Sequence, residues 1–221
     1  MSATERRFTS QKQGPVALLA RDGGGEVIAG YASVYYDGSQ GTEYQLWEGA
    51  VERVMPGAFD RALAEGDDCR GLFNHDPNCV LGRSASGTLR LKSDAKGLSY
   101  EIDPADTTVS ADVREHLRRG DVNGSSFSFL ITDQDWRTET RNEKTLDIRE
   151  IRGVKLFDVG PVTYPAYEGT TAGTRSADDL SEARAAHAAW KESSKPTLSR
   201  DAISARAREI ELEEEKSFLT T

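Results

Sequence analysis

The chain has 221 residues, with 28 Lys or Arg against 37 Asp or Glu, so its formal net charge is −9. This length fits one ordinary domain with a further segment, or two small domains. The acidic balance argues against nucleic acid as the substrate or main partner, because phosphate binding needs clustered Lys and Arg. No stretch reaches the roughly 20 apolar residues that span a bilayer, and no secretory signal opens the chain. We therefore expect no membrane partner and a cytoplasmic location.

The N-terminal part of the chain is predicted to consist of strands and turns after a polar arm. Residues 1–13 show no usable periodicity, which predicts a flexible arm. A Pro-Gly pair precedes a short predicted helix over residues 58–65, in which Phe59 and Leu63 lie four residues apart on one face. Apolar runs punctuated by Asp-Gly and Gly-Gly predict strands at residues 15–20, 27–36 and 44–47.

The middle of the chain has the clearest periodicity. Residues 89–92 and 98–102 alternate apolar and polar side chains, and the short connection between them predicts an antiparallel hairpin. Apolar residues recur every fourth position from Val109 to Leu117, which predicts a helix over residues 109–119 that Gly120 ends. Further strands are predicted at residues 126–132, 144–149 and 154–163.

The composition changes near residue 171, where Ala, Glu and Arg replace most large apolar residues. Residues 178–192 and 201–216 are typical of amphipathic or exposed helices. The predicted organisation is a flexible arm (residues 1–13), an α+β core that is mainly antiparallel β (residues 14–170) and a charged helical tail (residues 171–221). Two cysteines and three histidines are too few for a Cys/His metal framework, so we expect no metal and no cofactor.

Two short segments hold polar residues that could carry chemistry, one around His75 and one around Ser126. His75 follows an apolar segment, which would both hold and expose an imidazole, although a single histidine is more often structural. Ser126 and Ser128 alternate with Phe127 and Phe129 on a predicted strand, so both hydroxyls face away from the core. A serine hydroxyl is a weak nucleophile unless a base reaches it, and a polar strand face is the simpler interpretation.

Asp158 lies within the last predicted strand. Counting by twos places its carboxylate on the same face as Val154 and Leu156, which point to the core. A carboxylate there must be paired, since burying it bare is costly. Its partner could be an imidazole that it orients or a cation in a structural salt bridge, and the sequence does not separate these alternatives.

Six segments, in this order, resemble the prohead (procapsid) maturation serine protease family of tailed bacteriophages. They span about residues 27–170, nearly the whole predicted core. The segments are Gly30-Tyr31-Ala32-Ser33-Val34, Pro56-Gly57-Ala58-Phe59, Asn74-His75-Asp76 with Gly82-Arg83, Gly97-Leu98, Gly124-Ser125-Ser126-Phe127-Ser128-Phe129, and Asp158-Val159-Gly160-Pro161-Val162 leading into Pro165-Ala166.

The resemblance implies a role for each candidate. It makes His75 the general base, Ser126 the nucleophile and Asp158 the third member of a triad. The family is similar to herpesvirus assembly proteases, which implies a barrel-like sheet with a few flanking helices. The catalytic order in those proteases is His, Ser and a second His, which agrees with His75, Ser126 and Asp158 except in the type of the third residue. Ser128 stands where the family usually has glycine, so it is a rival nucleophile, and Gly160 stands where serine is common. Candidate oxyanion donors are the turn at Asn123-Gly124-Ser125 and the loop near Gly82-Arg83.

The implied function is a serine endopeptidase inside the immature capsid of a phage, in the host cytoplasm. It would cleave the scaffold segment of the major capsid protein and also itself, and would associate with other copies inside the prohead. Two rivals are a non-enzymatic scaffold or capsid-binding protein, suggested by the charged tail, and a hydrolase that uses the same triad on small esters.

Overall fold

The computed structural model describes residues 4–21, 23–164 and 180–194, which are rich in β-strands. The helices in these ranges are α1 (Asp60–Glu65), α2 (Thr108–Arg119) and α3 (Ser181–Ser193), with a 3₁₀ turn at Gln40–Thr42. The strands are β1 (Glu5–Thr9), β2 (Ala17–Ala20), β3 (Glu26–Val34), β4 (Tyr44–Trp47), β5 (Ala50–Val54), β6 (Arg70–Leu72), β7 (Val80–Arg83), β8 (Leu89–Ser93), β9 (Gly97–Ile102), β10 (Gly124–Arg141) and β11 (Lys144–Val162).

The described strands form two open sheets. The larger has the order β1-β10-β11-β5-β4, and β6 also pairs with β11 and carries β7. The smaller sheet is antiparallel, in the order β2-β3-β9-β8. The mainly β fold with a few helices is confirmed, but the barrel-like sheet is wrong. Both β5 and β6 pair in parallel with separate stretches of the 19-residue strand β11, so the larger sheet is mixed. Its strand order runs from β1 to β4 without closing.

Strand β1 corrects the prediction of a flexible N-terminal arm. Glu5–Thr9 pair with β10 in an antiparallel register, and Glu5, Arg7 and Thr9 are buried. Arg7 donates to both Glu5 and Glu52, while Arg149 pairs with the same two carboxylates at 2.8 and 3.0 Å. These two cations and two anions compensate one another, which allows a strand with charged inward positions to pack.

The main core lies under the aromatic face of β10. Phe127 and Phe129 are fully buried and their rings stack 4.7 Å apart, while Phe59 meets Phe127 edge-on at 5.5 Å. Ile28 and Ile102 of the smaller sheet belong to the same buried cluster. Since each fully buried side chain of this size contributes about 1.5–3 kcal/mol, this cluster holds β10 in place from one side.

The helical predictions are confirmed where the structure describes them. Helix α2 begins after Thr107, whose side chain accepts from Ser110 N–H, and it ends at Gly120 in the left-handed conformation, as expected. The chain divides into two compact units, Met1–Arg184 and Ala185–Thr221. Helix α3 lies within the predicted tail, whereas the helix predicted at residues 201–216 lies outside the described residues. None of the helices in the described part of the chain is long and apolar enough to cross a membrane.

Candidate active site

The long hairpin of β10 and β11 carries two of the three candidate residues. Ser126 pairs with Gly160 and Ser128 pairs with Asp158, so these side chains share the face opposite to the buried phenylalanines. Ser126 is 0% exposed and Ser128 is 3% exposed. The core-facing phenylalanines therefore fix which way the serine hydroxyls point.

A β-bulge places Asp158 on this face and corrects the face expected from counting by twos. The register passes from Ser128↔Asp158 to Phe129↔Leu156, which leaves Phe157 as an extra residue on β11. The extra residue inverts the alternation, so Leu156 faces the core and Asp158 faces Ser128. The Leu156 N–H at the bulge donates to Asp67 Oδ2 at 2.8 Å. The carboxylate thus leaves the core face and becomes available to an imidazole.

His75 enters the site from the loop between β6 and β7. Asn74 and His75 both have left-handed backbones, with φ of 54° and 58°. Residues other than glycine rarely adopt this conformation, and such strain is held by surrounding contacts. Gly160 allows the loop to approach, because a Cβ there would lie 1.9 Å from the Leu72 carbonyl oxygen. Only glycine fits at this position of β11.

The three candidate residues meet in a single hydrogen-bonded line. His75 Nδ1 lies 2.5 Å from Asp158 Oδ1, and His75 Nε2 lies 2.5 Å from Ser126 Oγ. The side chains of His75 and Asp158 are 5% and 11% exposed. A neutral imidazole that donates from Nδ1 to the carboxylate keeps a lone pair on Nε2, which then faces the serine hydroxyl. This arrangement can take a proton from Ser126.

Strand β1 supplies two further groups to the site. The Ser126 hydroxyl lies 2.9 Å from the Arg7 carbonyl oxygen, which can accept its single proton in place of His75 Nε2. Phe8 pairs with Ser126 in the register, and its ring meets the His75 ring edge-on at 6.2 Å. Neither residue was a candidate from sequence, because both lie in the stretch expected to be a flexible arm and the buried positions of β1 are polar.

The remaining histidines and cysteines are not members of this hydrogen-bonded line. His116 Nδ1 is 3.7 Å from Asp121 and half-exposed, and the His187 ring contacts Trp190. Burial, together with the nearby charge of Asp158, raises the pKa of the Cys69 thiol well above its usual range, so this thiol stays protonated. Within residues 4–21, 23–164 and 180–194, no three His, Cys, Asp or Glu side chains are grouped as a metal site requires.

The two segments that were expected to supply oxyanion donors make different hydrogen bonds. The Arg83 N–H donates to Thr88 Oγ1 at 3.0 Å, and the Arg83 guanidinium pairs with Asp68. Ser125 adjoins the nucleophile candidate, but its hydroxyl bonds to Tyr100 OH at 2.9 Å on the other face of the sheet. The Arg83 N–H is therefore already engaged by Thr88, and the assignment of the oxyanion donors stays a prediction.

Comparison with known protein families identifies the chain. A family model described as caudovirus prohead serine protease matches residues 16–183. The chain belongs to this family. As a prohead serine protease, the protein acts in capsid maturation, within the phage prohead and together with capsid proteins. The family match extends beyond the predicted end of the core at residue 170. Comparisons with curated proteins and with solved structures found no match.

Proposed function

We propose that this prohead protease is a serine endopeptidase whose nucleophile is Ser126, with His75 as general base and Asp158 as the residue that orients the imidazole. The observation that carries the proposal is the contact of His75 with both partners, at 2.5 Å from each ring nitrogen. Ser126 is favoured over Ser128 because it is the Ser126 Oγ that lies within hydrogen-bond distance of the imidazole. Three residues of these types, in this order of contact, form the arrangement used for acyl transfer.

The chemistry follows from these contacts. His75 Nε2 takes the hydroxyl proton as Ser126 Oγ attacks the scissile carbonyl, and it later returns the proton to the leaving amine. Asp158 holds the Nδ1–H tautomer and stabilises the imidazolium that forms. Water then hydrolyses the acyl-enzyme by the same route. Backbone N–H groups must stabilise the oxyanion, a contribution of about 3–4 kcal/mol for one donor.

The Ser126 hydroxyl must first break its contact with β1. The Arg7 carbonyl competes with His75 for the same proton, and Ser126 is fully buried. Phe8 shares the face of the sheet that carries Ser126. Access of a substrate carbonyl to this buried hydroxyl therefore requires the Phe8 ring to move aside, and the hydroxyl must turn from the Arg7 carbonyl to His75 Nε2.

The proposed substrate is the scaffold segment of the major capsid protein. We also propose that the protease associates with other copies of itself inside the prohead, which assembles in the host cytoplasm, and that it cleaves itself. Membership of a serine protease family argues against both rivals, the non-enzymatic scaffold and the hydrolase of small esters. The low number of Lys and Arg relative to acidic residues supports a protein substrate rather than a nucleic acid.

Co-expression with the capsid protein tests the proposed function. We expect trimmed capsid protein, resolved by gel and intact mass, from cells that make the wild type and the Ser128→Ala variant. Ser126→Ala should give assembled but untrimmed shells, with the rate of cleavage lowered by at least about 10⁴-fold. Trimming by Ser126→Ala would contradict the assignment of the nucleophile. The uncut Ser126→Ala chain can also be incubated with active protease. Shortening of this chain would support self-cleavage, and a chain that stays intact would contradict it.

A further inference from the structure

We propose that Asn74 is a positioning residue, which fixes the His75 loop to the end of β11 through Thr163. The inference rests on the proposed catalytic roles of Ser126, His75 and Asp158. Asn74 Nδ2 donates to Thr163 Oγ1 at 2.7 Å, and the Thr163 N–H and hydroxyl donate to Asn74 Oδ1 at 2.8 and 3.0 Å. The Asn74 N–H also donates to the Pro161 carbonyl at 3.1 Å. We call these four contacts the Asn74 clamp.

The backbone of the loop needs such a clamp. Asn74 and His75 are consecutive left-handed residues, with φ of 54° and 58°. Asparagine and histidine adopt this conformation more often than most residues, but it remains uncommon for any residue other than glycine. Strained positions of this kind cost about 1–3 kcal/mol each and persist only where neighbouring contacts hold them. The Asp76 N–H donates to the Phe73 carbonyl at 3.1 Å across these two residues, and the Asn74 clamp adds the contacts that tie them to Pro161 and Thr163.

The clamp acts on catalytic geometry because of where it attaches. Pro161 lies on β11 three residues after Asp158, and Thr163 is the first residue beyond that strand, so Asn74 ties the His75 backbone to the element that carries its carboxylate. Gly160, which lies between Asp158 and Pro161 on β11, leaves room for the loop to lie against this strand. The clamp thereby sets the direction from which the imidazole meets both Asp158 and Ser126. A misplacement of about 1 Å in a reacting group can cost on the order of 100-fold in rate.

The chain offers a matched control for the backbone. Asn142 has the same left-handed conformation, with φ of 49°, and is likewise followed by a left-handed residue, Glu143. This pair forms the two-residue turn between β10 and β11, at the opposite end of the hairpin from Gly124 and Val162. Asn→Gly at either position permits the same positive φ and removes the whole side chain, amide and methylene together. The two substitutions therefore have similar local consequences and differ in the proximity of His75.

The test measures labelling of the full chain by a fluorophosphonate, with the maximal rate of inactivation (kinact) separated from the half-saturating concentration (KI). We expect Asn74→Gly and Thr163→Val each to lower kinact by about 10- to 100-fold while KI changes by less than about 2-fold. Thr163→Ser should restore the wild-type rate, because it keeps the hydroxyl. The double variant should be no slower than the worse single variant, since both changes break one clamp. Asn142→Gly should label like the wild type.

Folding controls and the Ser126→Ala variant complete the design. We expect the Asn74→Gly and Asn142→Gly variants to have equal melting temperatures and only Asn74→Gly to lose kinact. This result would support a role of Asn74 in positioning His75. The inference would be overturned if folded Asn74→Gly and Thr163→Val both kept the wild-type kinact. It would also be overturned if the losses of the two single variants were strictly additive in the double variant. If the wild type carries no label on Ser126, the assignment of the nucleophile fails and the inference fails with it. If the wild type is labelled on Ser126 and Asn74→Gly is labelled equally fast, the inference alone is overturned.

Discussion

The two halves of the β10–β11 hairpin are built differently although they are continuous strands. The near half, residues 124–131 with 154–162, buries three serines, contains the bulge at Phe157 and faces a loop with left-handed residues. The far half, residues 134–141 with 144–151, keeps an unbroken register and carries ion pairs. The far-half side chains in these pairs include Arg137, Glu139, Arg141, Arg149 and Glu150.

The difference separates catalysis from structural support. In the near half, the bulge brings Asp158 and the left-handed loop brings His75 to the face that carries Ser126, so the irregular backbone places three polar groups in contact. The regular far half supplies ladder hydrogen bonds and charge pairs without a group for chemistry. Local strain at functional sites is commonly held by well-packed surroundings. Substitutions in the near half should therefore change activity more than stability, and those in the far half should do the reverse.

Replacement of the carboxylate on β11 gives the largest expected contrast. Asp158→Asn should lower kcat by about 10³- to 10⁴-fold, because an amide no longer favours the Nδ1–H tautomer or stabilises the imidazolium. Asp147→Asn is the matched change in the far half, where the carboxylate accepts from Thr138 Oγ1. It should leave kcat within about 2-fold, since it touches none of the proposed catalytic groups. Equal losses in both variants, measured on a capsid-derived peptide, would remove the distinction between the halves.

A methyl group at Gly160 should affect the near half next most strongly. Its carbon would lie 1.9 Å from the Leu72 carbonyl oxygen, so β6 and the following loop must shift. Gly160→Ala should lower the free energy of unfolding by about 3 kcal/mol and reduce activity as His75 moves. Gly41→Ala is the control, because its nearest contact would be Ser39 Oγ at an ordinary 3.7 Å. Denaturant unfolding and labelling rates measure both effects, and a Gly160→Ala variant as stable and active as Gly41→Ala would contradict the close approach.

The smallest effect is expected from the ion pairs of the far half, and it depends on pH. The pKa of Glu139 is lowered from 4.5 to about 2, mainly by its hydrogen bond from Arg53. Because this pKa is lower in the folded state than in the unfolded state, the ion pair stabilises the fold fully at pH values above the unfolded-state pKa. This contribution is lost as the pH falls from about 4.5 to about 2. Glu139→Gln should flatten the fall in stability across that window and leave labelling of Ser126 unchanged at neutral pH. An unchanged acid unfolding curve would show that this pair contributes nothing.

The sequence predicted local elements well because their signals are local. The helix over residues 109–119, its end at Gly120 and the hairpin of β8 and β9 were recognisable from periodicity and turn residues. The open, mixed sheet was not, because the parallel pairing of β11 with β5 and β6 joins distant segments. Strand β1 was missed since its inward residues, Glu5 and Arg7, are charged and become buried only as part of an ion cluster.

The candidate site shows the same division between local and non-local information. Resemblance to the family named His75, Ser126 and Asp158, and the structure brings these three side chains together. Counting by twos placed Asp158 on the wrong face, because a single extra residue at Phe157 inverts the alternation. Asn74 stood in the recognised motif, but its role depends on Thr163, 89 positions further along the chain. A contact of that range leaves no periodic pattern.

Mapping of a fluorophosphonate adduct tests the central assignment most directly. The full chain and its Ser126→Ala, Ser128→Ala and His75→Ala variants would be labelled at neutral pH, digested and analysed by mass spectrometry. We expect one adduct on Ser126 in the wild type and in Ser128→Ala, and no adduct within the same time in the other two variants. An adduct on Ser128, or labelling of Ser126 that persists at the wild-type rate without His75, would contradict it.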